Sequence, residues 1–319
     1  MLRGEKNALN CVNCDPGYFC PKGSREQFIC PPGHYCNGNL GNNKRTVIPK
    51  PCPAGSYMAS YGNFNSACDD CPIGYFCKAG TSTPTKCPAG YICPPKSTTY
   101  DSTVCPAGKY SGAESIGSLS DCRVCPKGHY CPSSLTVPSV FPIPCPQGTY
   151  RASTGASLST DCVKCTAGRV CPYLGNQFGD SVSLPCVPGH ACPAGTKTFY
   201  EFACPAGTYS DLQNGIIDTS DITQCKKCPR GFACAAGTNT LTKPWVKCSP
   251  GYFCPEGSSV PNAATNKCPA GTWSDRVDLY QDSDCYKCPP GKYCDGGKDA
   301  PDGDCLPGSY CPGSSVSTT

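Results

Sequence analysis

The chain has 319 residues and a formal net charge of +4, yet Val, Leu, Ile and Phe together fill only 45 positions, about 14 %. So few aliphatic side chains exclude a large apolar core, and the low charge sets the chain apart from the disordered class. With 33 Cys, 35 Gly and 35 Pro, covalent staples formed in an oxidising compartment are the means left to hold shape. Lys and Arg are scattered, the densest group being Lys44-Arg45 with Lys50. That gives no footprint for a nucleic acid. No apolar run approaches the length of a membrane span, and residues 1–7 lack the hydrophobic stretch of a secretory leader.

One phrase recurs along the chain, Cys-Pro-x-Gly-x-aromatic-Cys. Complete copies include Cys71 to Cys77 and Cys125 to Cys131. Further copies and relatives begin at Cys14, Cys30, Cys87, Cys165, Cys186, Cys228, Cys248, Cys288 and Cys305, and open versions without the closing cysteine begin at Cys52, Cys105, Cys145, Cys204 and Cys268. All sixteen copies carry glycine at the fourth position, among them Gly17, Gly33, Gly74, Gly90, Gly128, Gly251, Gly291 and Gly308. Proline presets φ near −65° and glycine alone takes φ > 0 cheaply, so Pro-x-Gly predicts a tight turn. Turn, aromatic and disulfide together make a small knuckle.

The cysteine spacings group the knuckles into units C1-x2-C2-x5-C3-x(9–14)-C4-x5-C5-x(11–15)-C6. This predicts repeat units over 1–67, 68–121, 122–161, 162–224, 225–284 and 285–319, the third short because C4 and C5 are missing. The stretches from C6 to the next C1, such as 110–122 and 150–162, are rich in Ser, Thr, Gly and Asp and predict irregular hairpins rather than helices. No helical apolar stripe occurs. The expected fold class is small, disulfide-rich and irregular all-β, with tandem repeats stacked into an extended rod and little or no helix.

The open phrase followed by Ser-Asp-Cys-x-x-Cys-Pro, as at Ser120-Asp121-Cys122 to Pro126, resembles the ephrin-receptor-like cysteine-rich repeat. The cysteine order is also similar to that of tumour-necrosis-factor-receptor cysteine-rich domains and of protist cysteine-rich surface proteins. The resemblance runs from Cys11 to Cys311. It implies that C6 bonds the next C1: Cys52–Cys68, Cys105–Cys122, Cys145–Cys162, Cys204–Cys225 and Cys268–Cys285. For the other four cysteines it leaves two schemes, interlaced as in the receptor domains or self-closing within each knuckle. The joint loss of C4 and C5 from the third unit favours self-closing. Both schemes contain Cys125–Cys131 and leave Cys11 unpaired. The array is cut inside the same module at both ends, so the chain is expected to be a segment of a longer product that carried its leader elsewhere, or else Cys11 bonds another molecule.

Six Cys-x-x-Cys pairs, such as Cys68/Cys71, have zinc-ribbon spacing. An oxidising compartment favours disulfides over zinc, and no βαβ pattern surrounds a pair as a redox motif would require. His34, His129 and His190 share one slot after the knuckle glycine, a slot that accepts many residue types, which argues against a catalytic histidine. Asp295, Asp299, Asp302 and Asp304 offer oxygen ligands, but their spacing fits no defined calcium loop. No Asn-x-Ser/Thr sequon is present. Thr81, Ser82, Thr83 and Thr85 around Pro84, with Ser97, Thr98 and Thr99, have the composition of O-glycosylated segments and are candidate glycan positions.

These readings lead to a non-catalytic structural protein, extracellular or on the cell surface: a fibre, stalk or coat whose partners are copies of its own repeat, with no cofactor. The alternative is the ligand-binding ectodomain of a receptor, reading its ligand through the fourth unit's insert, residues 172–178. An enzyme ranks third.

Overall fold

Two residues of extended chain are enough for a hairpin when a Pro-x-Gly turn bends the backbone and a disulfide clamps its base. The computed structural model describes residues 13–37, 47–177, 184–211, 220–239 and 243–317. Cys11, Lys44, Arg45 and Phe178 lie outside them. Among the described residues every strand is two residues long and sits in a sheet of two strands. Tyr18–Phe19 pairs with Phe28–Ile29, Tyr75–Phe76 with Thr85–Lys86, Lys109–Tyr110 with Arg123–Val124 and Thr272–Trp273 with Tyr286–Lys287. Each of these hairpins starts just after a knuckle glycine and returns just before the next knuckle's first cysteine. Aromatic, Thr and Val side chains at these positions favour the extended form.

The little helix that was expected lies in the linking stretches. A single 3-10 turn precedes the junction cysteine at Leu119–Asp121, Ser159–Asp161, Ile222–Gln224 and Asp282–Asp284. The physical reason is local: Ser118 and Asp121 form a capping box, as do Asp221 with Gln224 and Gln281 with Asp284. The Asp121 carboxylate accepts from the amides of Gly117 and Ser118 at 3.1 and 2.9 Å, so the aspartate of Ser-Asp-Cys is a cap. Such turns leave the protein irregular all-β with little helix.

Sixteen disulfides hold the described residues. Eleven close a knuckle on itself across six residues, from Cys14–Cys20 to Cys305–Cys311, and include Cys125–Cys131. The other five are Cys52–Cys68, Cys105–Cys122, Cys145–Cys162, Cys204–Cys225 and Cys268–Cys285, with separations of 16 to 21 residues.

By packing, the chain divides into two compact units, Met1–Ile143 with Ser153–Asp161, and Pro144–Ala152 with Cys162–Thr319. Neither has one continuous core. In the first, small clusters form around Ile92, Cys105, Ile116 and Cys122, and around Phe76, Cys87 and Cys93. In the second they form around Val170 with Cys186, Ala233 with Cys248, and Leu279 with Cys268. Most fully buried side chains are cystines, so the disulfides fill the interior as well as bridging it.

Candidate functional site

The most regular feature of each unit is a backbone ladder that joins knuckle to knuckle. Between the Gly74 and Gly90 knuckles it consists of four hydrogen bonds. The Gly74 amide donates to the Cys93 carbonyl at 2.9 Å, and the Gly74 carbonyl accepts from the Cys87 amide at 2.9 Å. The Cys77 amide donates to the Ser97 carbonyl at 3.0 Å, and the Lys96 amide to the Cys71 carbonyl at 2.9 Å. In the second unit the Gly231 and Gly251 knuckles repeat the set: Gly231 to Cys254 at 2.9 Å, Cys248 to Gly231 at 3.0 Å, Cys234 to Ser258 at 2.9 Å and Gly257 to Cys228 at 2.9 Å. The ladder therefore repeats once per knuckle, not once per six-cysteine unit.

Lys96 and Gly257 belong to a second turn, which follows each knuckle by a few residues. Its key position takes positive φ: Gly62, Gly80, Gly155, Gly195, Gly237 and Gly257 occupy it, with Lys96, Ser115 and Ser314 as the non-glycine cases among the described residues, at φ 65°, 60° and 71°. Cysteine spacing does not reveal this turn. The signal that does is Cys-Pro-x-Gly-Ser/Thr and its relatives, as at Cys192-Pro193-Ala194-Gly195-Thr196. The hydroxyl after the glycine locks the turn by donating to the carbonyl three residues back, Thr196 to Pro193 at 2.6 Å and Ser258 to Pro255 at 2.8 Å.

The knuckle glycines are needed because this second turn, two knuckles on, lies directly against them. A Cβ at Gly108 would stand 2.7 Å from the Gly155 carbonyl oxygen, and Gly33 is still closer to the Gly80 carbonyl. Both also hold positive φ, 82° and 75°. Gly17, Gly74 and Gly251 face backbone in the same way, whereas Gly90 faces the Pro138 ring. Gly128 has φ 74°. Gly291 and Gly308 face nothing within 4 Å. In the short third unit the ladder is kept with substitute atoms, the Ser133 hydroxyl donating to the Cys105 carbonyl and the Ser111 amide to the Ser139 carbonyl.

The remaining candidate residues are dispersed. His34, His129 and His190 each hold Nδ1 at 2.9 to 3.2 Å from the carbonyl two residues back, a repeated local contact. In the acidic loop Lys298 binds the Asp302 carboxylate and Lys292 binds Asp304 at 2.8 Å. Those hydrogen bonds hold both carboxyls below the usual carboxylate range. Two of the four oxygen donors are thus already matched by lysines. Among the described residues no three His, Cys, Asp or Glu side chains group as a metal site. Burial raises the Tyr209 phenol, with Asp211 adding to it, and backbone donation from Thr223 lowers the Asp221 carboxyl.

A shallow cleft of about 330 Å3 in the second unit is lined by Arg230, Pro255, Glu256, Tyr280 and Gln281, with the Arg230 guanidinium over the Tyr280 ring at 5.9 Å. Of the candidate glycan positions, Thr83, Thr85, Thr98 and Thr99 are exposed and Ser82 is half-buried. Thr81 and Ser97 spend their hydroxyls on the carbonyls of Lys78 and Pro94 at 2.7 and 2.6 Å. In the insert after Cys171, Gly175 and Asn176 form the ordinary second turn, bonding Cys145 and Arg151 at 2.9 Å, while Tyr173 and Leu174 stand exposed.

No family model and no curated protein matches the chain. Sixteen disulfides fit a secreted or extracellular protein. Among the described residues no helix is long and apolar enough to cross a membrane.

Proposed function

We propose that the protein is a non-catalytic structural component of an extracellular or cell-surface assembly, a fibre, stalk or coat. The observation that carries this reading is the ladder: both units consist of the same knuckle contact, renewed at each step. Such a chain gains stability from neighbour-to-neighbour contacts and covalent closure, which suits a load-bearing, protease-resistant element. Copies of the same repeat are its natural partners.

The test is electron microscopy of the native, oxidised protein from its source. Regular filaments, or a coat with an axial period set by this array, are expected. Dispersed particles attached to no assembly would overturn the proposal. One observation favours a receptor ectodomain instead, the exposed pair Tyr173 and Leu174, 67 % and 64 % accessible. Retention of a soluble ligand that Tyr173→Ala releases would support that second reading.

A further inference from the structure

Lysine recurs every twenty residues at Lys227, Lys247, Lys267 and Lys287, and the fold gives all four one setting. Each stands just before a knuckle's first cysteine, on the returning side of a hairpin, and pairs with the residue that follows the preceding knuckle glycine. Lys227 pairs with Thr208, Lys247 with Phe232, Lys267 with Tyr252 and Lys287 with Thr272. Consecutive lysines are therefore joined by one knuckle turn and one strand pairing. The turns close from the Phe232 amide to Pro229 at 3.2 Å, from Tyr252 to Ser249 at 3.1 Å and from Thr272 to Pro269 at 3.0 Å. Paired Cα atoms lie about 5 Å apart, so the four lysines form one row within the second unit.

All four are exposed. The ion pairs among the described residues are Lys96–Asp70, Arg276–Asp278, Lys292–Asp304 and Lys298–Asp302, and none uses a lysine of the row. In the first unit the same place is taken by Ile29, Pro51, Asp70, Lys86, Val104 and Val124. There Asp70 is matched by Lys96 of the second turn at 3.2 Å. The hairpin thus accepts apolar, acidic and basic residues at this place, and the fold does not require a cation there.

An independent observation concerns the lysine stems. A Cβ built on Gly297, in the second turn, would stand 3.1 to 3.7 Å from the Cβ, Cδ and Cγ of Lys267. Lys164, at the same place in the Thr149 hairpin, lies likewise against Gly195 at 3.5 and 3.6 Å. Such a stem packs along the turn and leaves the ammonium to solvent. A braced stem also loses less rotamer freedom when a ligand holds its head.

We propose that the row Lys227, Lys247, Lys267 and Lys287 binds an acidic polysaccharide, a linear chain carrying sulfate or carboxylate at regular intervals. One cation per hairpin suits a ligand with one anion per repeat, and a single chain spanning four lysines makes the later contacts intramolecular. Salt screens an isolated surface lysine beyond about 8 Å at physiological ionic strength, so the affinity comes from the series. Duplex DNA is a poorer match, because it carries a charge about every 1.7 Å and the row has no arginine fork for bidentate phosphate contacts. The choice of a polysaccharide rests on the extracellular reading above and gives a coat or fibre a matrix to hold.

The test measures binding of full-length oxidised protein to heparin, which is sulfated, and to alginate, which is carboxylated, at about 0.15 M salt. Binding to at least one is expected, and the tighter identifies the anion. The combined variant Lys227→Gln, Lys247→Gln, Lys267→Gln and Lys287→Gln should weaken it more than about 100-fold, at about fivefold per lysine, with the disulfide map unchanged. The control Lys22→Gln, Lys78→Gln, Arg123→Gln and Lys127→Gln removes the same charge from exposed side chains of the first unit. It should weaken binding less than about fivefold. Equal losses from the two variants would show that net charge alone is read and would overturn the proposal. So would binding to neither polysaccharide, or tighter binding to duplex DNA or phosphatidylserine vesicles at the same salt. Native filaments that ignore both polysaccharides would overturn this inference alone. Row-dependent polysaccharide binding by a protein that forms no assembly would support it and overturn the structural reading.

Discussion

Closed and open knuckles build the same backbone with different staples. In the closed Gly74 knuckle the sixth position after Cys71 is Cys77, buried and bonded back to Cys71. In the open Gly271 knuckle the equivalent position is Ser274, also fully buried, and Cys268 reaches forward to Cys285 instead. Nevertheless the open step makes the same bonds: Gly271 to Cys294 at 2.7 Å, Cys288 to Gly271 at 2.9 Å, Ser274 to Lys298 at 3.1 Å and Gly297 to Cys268 at 3.0 Å. Backbone geometry is the constant and the disulfide is the variable. What the open form gains is a covalent tie over the long linking stretch, where the apolar contribution is as small as Leu279 or Ile116.

If the ladder is the constant, obstructing it should cost more than removing either staple. Gly74→Val would place a β-branched side chain against the Ser115 carbonyl at φ 80°. Strain and overpacking of about 1–3 kcal/mol each should add to about 3 kcal/mol or more. Limited proteolysis should then cut near Gly74 and scramble the Cys71–Cys77 and Cys87–Cys93 pairs. The same change at Gly291 should cost only the strain, because nothing lies within 4 Å.

Removing staples ranks the two knuckle types directly. Chain entropy predicts about 3 kcal/mol for the Cys105–Cys122 closure and about 2.4 kcal/mol for the shorter Cys71–Cys77 closure. Denaturant unfolding of the paired Cys→Ser variants checks the order, the open bridge being the costlier loss.

The second turn also offers a stabilising change. Ser115 holds φ 60° at the second turn, and its buried hydroxyl has no hydrogen-bond partner. Ser115→Gly removes the strain and the unsatisfied group and should raise stability by about 1 kcal/mol, read as a higher Tm.

The smallest effect concerns the last hairpin. Lys292 and Lys298 hold Asp304 and Asp302 below their unfolded pKa values. A depressed carboxylate pKa gives stability that is present above the unfolded value, near pH 4, and is lost as pH falls through the folded value. Hydrogen exchange should therefore quicken selectively around residues 292–304 below about pH 4, and salt should weaken the effect, since these pairs are exposed.

The sequence made the knuckle legible because Pro-x-Gly and the cysteines each have one strong local meaning. Gly74 and Cys77 could be placed without any knowledge of their neighbours. The ladder was hidden because its partners, such as Gly74 with Cys93 or Lys96 with Cys71, are backbone groups that leave no residue signature. The second turn was partly visible, in Gly195-Thr196 and Gly257-Ser258, but Lys96 and Ser115 break the glycine rule and obscure the period. Cysteine spacing pointed to a unit of up to six cysteines because closed and open knuckles alternate over that longer interval. The 3-10 turns had a readable sign in Ser118-x-x-Asp121, overlooked among the polar residues of an apparent loop. The pairing of Lys298 with Asp302 depends on how the final hairpin closes and has no local signature.

One ladder underlies both knuckle types, and amide hydrogen exchange on the oxidised protein tests this most directly. Matching protection is expected for the Gly74 and Gly271 amides, and for Cys77 and Ser274, despite their different disulfides. Rapid exchange at Gly271 and Ser274 beside slow exchange at Gly74 and Cys77 would show that the disulfide, not the ladder, holds each knuckle, and would contradict it.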